Sequence, residues 1–184
     1  GGAGQHEVSA AFLEATQRLK LDVTVASDRP AWLAGHPPTD FLTLDFKDPE
    51  GSARAVVKLA RDRPIDAVIG VDDTTAVVAA SISAALGLPH NSVAAAAAAR
   101  NKHRMRELLR EHGVPVPRFA RFSLQEDPAA LAPSVAFPCV VKPLVLSSSC
   151  GVIRADNAAE FADAFRRVAA LLTRLGVASR DILV

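Results

Sequence analysis

FPCVVKPLVLSSSCGV, residues 137–152, places a lysine at the end of an apolar segment and small residues after it. The apolar residues up to Lys142 predict a strand and GVIRA at 151–155 predicts another, so the small residues form the tip of a hairpin. This tip consists of Ser147, Ser148, Ser149, Cys150 and Gly151. Small side chains leave backbone N–H groups open to an anion such as phosphate, and a lysine inside an apolar strand either reaches water or meets an anion. An ordinary serine-rich turn is the alternative interpretation.

The composition predicts an α/β protein in which helices pack on parallel strands. Of the 184 residues, 49% are hydrophobic, and the chain has no tyrosine and one tryptophan. The net charge of +1 comes from 21 basic and 20 acidic residues, which form no long run. Such a chain has no broad positive field for a polyanion, so we expect no nucleic-acid partner and only a local anion site.

Three features indicate the compartment. The two cysteines, Cys139 and Cys150, show neither a disulfide framework nor the spacing of metal ligands, and we predict no metal site here. Residues 74–99 carry no charge, but Pro89 and the polar residues after it divide them into pieces too short to span a membrane. The chain opens on glycines rather than on a signal peptide. We therefore expect a cytoplasmic protein with no membrane partner.

Helices and strands alternate in the first half of the chain. The pattern predicts a helix at 8–19, strands at 21–27 and 40–46, a helix at 50–62, a strand at 66–71 and a helix at 74–86. This order is typical of parallel strands joined by crossover helices. Doubly wound folds place a first strand just before such opening glycines, so we expect the sequence to start just after that strand.

A proline-rich turn, VPVP at 114–117, marks the predicted domain boundary. Residues 93–116 form connecting helices between a leading domain, residues 1–92, and a second domain, residues 117–184, with Asn101 as an internal cap. Besides the hairpin, the second domain is predicted to contain strands at 118–123 and 181–184 and helices at 128–132 and 157–175. Because the final strand is apolar and has no cap, we expect this domain to be cut short.

Two segments together resemble the ATP-grasp superfamily. In LGLPHNSVAAAAAARNKHRMRELLREHGVPVPRF a lysine opens a helix that ends in glycine and a proline-rich turn. In FPCVVKPLVLSSSCGVIRADNAAEFADAF a strand ending in V-K-P leads through small residues to GV and then to a helix. The resemblance covers residues 86–184. Upstream, DAVIGVDDTTAVVAASISAALGLPHN is most similar to the carboxylate-amine and amino-acid ligase branch.

The resemblance implies a fold and an activity. The fold is a Rossmann-like pre-ATP-grasp domain with a parallel sheet, followed by the small α+β subdomain that covers ATP. The activity is ATP-dependent joining of a small-molecule carboxylate to an amine through an acyl phosphate, with Mg²⁺ as a cofactor and a homodimer as one assembly that the family adopts.

Residue by residue, the resemblance implies that Lys102 and Lys142 bind the nucleotide and that residues 147–151 cover its β and γ phosphates. The loop departs from the family because it is poor in glycine and has Cys150 where a polar residue is expected. The family's Mg²⁺ ligands and catalytic arginine are expected beyond residue 184, so no catalytic residue is assigned. The other basic residues of the helix are predicted to face solvent: His103, Arg104, Arg106 and Arg110.

Three residues of the leading domain are candidate substrate ligands. Gly4 and Gln5 belong to the opening glycine turn. Asp72 follows the strand predicted at 66–71, at the carboxyl edge where open sheets bind ligands. The alternatives are simple turn geometry for the glycines and a helix N-cap at Asp73.

Two other functions stay open at this point. One is a nucleotide-binding module that keeps the fold and has lost the chemistry. The other is a nicotinamide-dependent oxidoreductase, because Gly2-x-Gly4 and Asp28 stand at about the spacing of a dinucleotide site, although Glu7 replaces the third glycine. The sequence does not identify the carboxylate or the amine.

Overall fold

The computed structural model describes residues 2–28 and 40–184, with side chains at 10–28 and 41–184. The chain divides into two units, residues 1–97 and 98–184. The first unit contains α1 (Gly2–Leu19), β1 (Thr24–Ser27), β2 (Asp40–Thr43), α2 (Pro49–Ala60), α3 (Ala76–Leu86) and most of α4 (Val93–Arg100). The second contains α5 (Lys102–Glu111), β3 (Arg121–Ser123), α6 (Pro128–Leu131), β4 (Cys139–Pro143), β5 (Ile153–Ala155), α7 (Ala158–Arg174) and β6 (Asp181–Leu183).

The first unit is built on parallel strands, as the composition and the element order predict. β1 and β2 pair in parallel, with Thr24 opposite Asp40. Below them α2 and α3 enclose a core whose buried residues include Val56, Val78 and Ile82. α3 ends at Gly87, whose positive φ of 70° is the left-handed conformation that commonly stops a helix.

Two predictions for this unit are wrong. No strand forms at 66–71, because only one side of the segment is covered: Val68 packs on the core, whereas Ile69 is 68% exposed. A strand with apolar side chains on both faces is stable when other elements pack on both faces. Among the described residues, elements pack on only one face of this segment. The predicted glycine turn is also absent, since α1 is already helical from Gly2.

The second unit is an antiparallel sheet covered by α7 on one face. Its strand order is β3-β6-β4-β5. Buried side chains recur along α7 at helical spacing and form its apolar stripe: Phe161, Ala164, Phe165, Val168 and Leu172. Opposite them, Val141 of β4 and Ile182 of β6 are completely buried. From β3 to β6, the elements of this unit lie within three residues of their predicted bounds.

Reciprocal side-chain bonds begin α7 and place it against the hairpin. Asn157 accepts a hydrogen bond from the Glu160 N–H at 3.0 Å, and Glu160 accepts one from the Asp156 N–H at 2.9 Å. The first bond satisfies an amide that a helix start would otherwise leave unpaired, and the second ties the residue before the N-cap to the first turn of α7. No helix among residues 2–28 and 40–184 is long and apolar enough to cross a membrane.

Candidate functional site

Asn101 fixes the start of α5 and thereby the position of Lys102. Its side-chain oxygen accepts hydrogen bonds from the N–H groups of His103 and Arg104, both at 3.1 Å. The predicted internal cap is therefore confirmed. As a result, Lys102 is the first residue of α5.

Lys102 is bound to the chain that leads from β4 into the serine loop. Its backbone N–H donates to the carbonyl of Leu144 at 3.0 Å. Its Nζ donates to the carbonyl oxygens of Leu144, at 3.4 Å, and Leu146. These bonds cross more than forty residues of sequence and fix the base of the loop. In this structure Lys102 therefore acts on the loop, a contact that the sequence did not predict.

Lys142 lies on the face of the sheet opposite α7. Its neighbours on β4, Val141 and Pro143, point into the core, and alternation along the strand turns Lys142 the other way. Burial lowers the pKa of Lys142, and the positive charges of Arg106 and Lys102 lower it further. The structure thus brings the two lysines into one cluster. The backbone of Lys142 pairs with β6 opposite Leu183, but its side-chain ammonium forms no hydrogen bond or ion pair with any residue in the described ranges.

Arg106 is the functional candidate that the sequence reasoning missed. It was predicted to face solvent, but it is half-buried, and its Nε is buried without a hydrogen-bond acceptor among the described residues. The sequence spacing could have predicted this position. Residues four apart lie on the same face of a helix, and Arg106 follows Lys102 by four residues. Arg104, in contrast, is exposed as predicted and pairs with Glu107 at 3.6 Å.

The serine loop presents exposed polar groups at the tip of the β4–β5 hairpin. Ser148 and Ser149 have φ of 52° and 57°, values that non-glycine residues adopt rarely. The N–H of Cys150 donates to Ser147 at 3.0 Å, and that of Val152 donates to Ser149 at 3.2 Å. Within the described ranges, the N–H groups and hydroxyls of the three serines have no acceptor. Such a loop can offer several donors to an anion at once.

Gly151 closes the loop where a larger residue would not fit. Its φ is 75°, and a Cβ there would lie 2.8 Å from Leu171 Cδ2 and 2.9 Å from Pro143 Cγ. The loop therefore packs directly on β4 and α7. Gly151 is therefore required both by the positive φ of the turn and by the short distance to these neighbours.

Replacing Gly151 with alanine is expected to lower the free energy of unfolding by about 2 kcal/mol, because left-handed backbone and crowding against the rigid Pro143 ring add up. Gly113→Ala is the matched control. The φ of Gly113 is 72°, and nothing lies within 4 Å of the added Cβ. This variant is therefore expected to lose only the free energy of the strained backbone, about 1 kcal/mol. Urea unfolding of the complete protein measures both, and equal losses would show that the close contact costs nothing.

Asp72 orders the turn before α3. Its Oδ1 accepts hydrogen bonds from the N–H groups of Thr74 and Thr75, at 2.8 and 2.9 Å, and from both hydroxyls, at 2.6 and 3.1 Å. Burial alone would raise the pKa of Asp72, but these bonds outweigh it and hold the pKa below the usual range. The predicted N-cap at Asp73 is wrong, since the N-cap of α3 is Thr75, which makes no side-chain cap bond.

Gly4 and Gln5, the other candidate substrate ligands, lie in α1, and their side chains fall outside the described ones. Asp28 is exposed and directly follows β1. Among the described residues, no group of three or more histidine, cysteine or acidic side chains could hold a metal ion. Both cysteines are free thiols, Cys150 being exposed.

Two family models match the chain in order along it. The ATP-grasp N-terminal domain matches residues 13–90, and the ATP-grasp domain matches residues 135–179. The first match falls in the unit with the parallel strands. The second contains Lys142, the serine loop and all of α7.

Curated relatives and solved structures agree with these matches. The chain is 30% identical over 131 residues, 71% of its length, to alanine–anticapsin ligase from Bacillus subtilis, of which it covers 28%. It is 33% identical over 88 residues, 47% of its length, to D-alanine–D-alanine ligase from Cupriavidus pinatubonensis, of which it covers 27%. The chain thus spans under a third of the length of these relatives.

A solved structure with the same fold matches a larger share of this chain. An L-amino acid ligase from Bacillus licheniformis superposes with a TM-score of 0.63 and 26% identity, over 92% of this chain and 39% of that one. Two domain models in family order, a relative matched over 71% of this chain and a shared fold lead to one conclusion. The chain belongs to the ATP-grasp family.

Proposed function

We propose that the protein containing this chain is an ATP-dependent ligase that joins a small-molecule carboxylate to an amine. ATP would phosphorylate the carboxylate, and the amine would displace phosphate from the acyl phosphate to give an amide or peptide bond. The names of the relatives, which include ligases of alanine and other amino acids, support an amino-acid substrate class. We propose the cytoplasm as its compartment and a homodimer as its assembly.

One observation carries this proposal: Lys142, a half-buried cation with no ion pair in the described ranges, lies in the β4–β5 hairpin whose loop has unpaired donors. A half-buried charge is costly until an anion pairs with it. Loop N–H groups and lysines are the donors that bind phosphates in many sites. We therefore assign Lys142, Lys102 and residues 147–151 to the nucleotide phosphates.

The roles of the two lysines differ in this proposal. Both lysines supply charge to the phosphates, but Lys102 alone also holds the loop in position, through the carbonyls of Leu144 and Leu146. The described residues fit a polyphosphate but offer no set of Mg²⁺ ligands. Mg²⁺ would neutralise phosphate charge, and no step here depends on its position.

We propose the same domain organisation that the sequence predicts: residues 1–92 as the leading domain, 93–116 as connecting helices and 117–184 as the subdomain that covers ATP. Covering would exclude water from the acyl phosphate, which hydrolysis would otherwise consume. Gly4, Gln5 and Asp72 are proposed to lie toward the substrate. For Asp72 this role is additional to ordering the turn before α3.

Phosphate release by the complete protein tests the proposed function. ATP is supplied with Mg²⁺ and with pairs drawn from a panel of amino acids and small acids. We expect phosphate release with one or a few pairs and an amide product of matching mass. ATP binding without release for any pair would favour the non-catalytic module. NAD binding that Gly4→Val abolishes and Lys142→Ala leaves intact would instead favour an oxidoreductase.

A further inference from the structure

Arg106 has a buried donor that no contact in the protein explains. Its Nε is buried, and no acceptor within the described ranges lies within hydrogen-bond distance. The acidic residues of α5 pair with His103 and Arg104 instead, and no carboxylate of the described residues forms an ion pair with Arg106. Buried polar groups nearly always have a partner, so an unsatisfied one on a charged side chain indicates a role that the isolated chain does not show.

The guanidinium group of Arg106 lies against the ring of Phe119. The central carbon of that group lies 5.9 Å from the centroid of the Phe119 ring, within the range of a cation–π contact. Arg110 contacts the same ring at 5.0 Å, but it is exposed. Two arginines of one helix therefore share one aromatic contact and differ in burial.

The charge of Arg106 acts on Lys142. After burial, the guanidinium of Arg106 is the largest cause that lowers the pKa of Lys142, ahead of the Lys102 ammonium. The backbone geometry agrees: the Lys102 N–H bonds the carbonyl of Leu144, two residues after Lys142, and Arg106 lies one turn further along the same face of α5. Holding like charges together costs free energy, which a ligand with several negative charges would recover.

We propose that Arg106 is a third cation of the nucleotide site and contacts the phosphates of ATP directly, with Phe119 fixing its orientation. This inference rests on the proposed function. Arginine presents a planar set of donors that suits two phosphate oxygens at once, which a lysine cannot match. Arg106 would thus contribute more to ATP binding than to AMP binding, because only ATP extends phosphates into the cluster.

The test compares two arginine variants of the complete protein, Arg106→Gln and Arg110→Gln. Both lose one positive charge from the same helix and the same Phe119 contact, but only Arg106 is half-buried and coupled to Lys142. We measure affinities for ATP and for AMP by titration calorimetry, with Mg²⁺ present. Arg106→Gln is expected to weaken ATP binding roughly tenfold and AMP binding less than twofold. Arg110→Gln is expected to change both less than twofold.

Lys142→Met separates failure of this inference from failure of the proposed function. If Lys142→Met weakens ATP binding while the two arginine variants behave alike, the nucleotide site stands and Arg106 is not part of it. If no variant, including Lys142→Met, changes ATP binding, ATP does not bind at this cluster, and the observation that carries the proposed function fails together with this inference.

A second measurement covers the case in which Arg106→Gln does not fold. In ¹⁵N-arginine-labelled wild-type protein, the Arg106 Nε–H resonance, assigned by its loss in Arg106→Lys, is expected to shift on titration with ATP and not with adenosine. A resonance that ATP leaves unmoved would overturn the proposal.

Discussion

Replacing Lys142 with methionine is expected to weaken ATP binding by the complete protein by roughly ten- to a hundredfold, which corresponds to the loss of one charge-assisted contact. The reason is the position of Lys142: it is half-buried, its charge has no partner in the described ranges, and it stands at the base of the loop that we assign to the phosphates. Methionine has a similar length and removes only the charge. Titration calorimetry with ATP checks the prediction.

Lys47→Met is the matched control for this variant. It makes the same chemical change at an exposed lysine in the first unit. Its effect on ATP affinity is expected to stay below twofold. Equal ATP affinities of Lys142→Met and Lys47→Met would contradict the assignment of Lys142 to the phosphates.

Lys142→Met has a second expected effect, on the stability of the protein in the absence of nucleotide. Burial, then Arg106 and Lys102, lowers the pKa of Lys142 in the folded protein, so the charged lysine destabilises the fold. Between this lowered pKa and the ordinary lysine pKa, the unfolded chain binds more protons, and stability therefore rises with pH there. Below the window the cost is fully present. Lys142→Met is expected to be more stable than wild type at neutral pH, and the difference is expected to shrink as pH rises through the window.

Replacing Phe161 with alanine is expected to destabilise the second unit by about 3–5 kcal/mol. Phe161 is completely buried on α7 and lies at the centre of an aromatic cluster. Its ring makes edge contacts with three others at 6.0–6.4 Å between centroids: Phe122, Phe137 and Phe165. These rings come from a strand, a loop and α7 itself. The cavity that alanine leaves would therefore remove the packing contacts between α7 and the sheet.

Hydrogen exchange of the complete protein measures this effect unit by unit. Protection of the β4 and α7 amides is expected to fall in Phe161→Ala, whereas amides of α2 and α3 stay unchanged. Val140→Ala is the control, because Val140 lies on β4 and is 40% exposed, and its cost is expected to stay below about 1 kcal/mol. A loss of protection spread equally over both units would contradict a core confined to the second one.

The second unit could be predicted from local patterns almost completely. The apolar stripe of α7, the alternation in β4 and the small residues between β4 and β5 each determine one element without knowledge of the rest. The first unit was predicted less well, because the segment at 66–71 needs neighbours on both faces to become a buried strand. Local pattern does not say whether those neighbours are present.

The sequence by itself determined the order of the elements other than the strand expected at 66–71, the hairpin, the family resemblance and the places of Lys102 and Lys142 at a helix start and a strand end. Periodicity and turn chemistry act over a few residues, so these features can be read from short segments. Only the tertiary structure decided what the charged side chains contact. It bound Lys102 to carbonyls of Leu144 and Leu146 and buried the Nε of Arg106. Burial and charge coupling depend on residues that are far apart in sequence, and such residues come close together only in the folded chain.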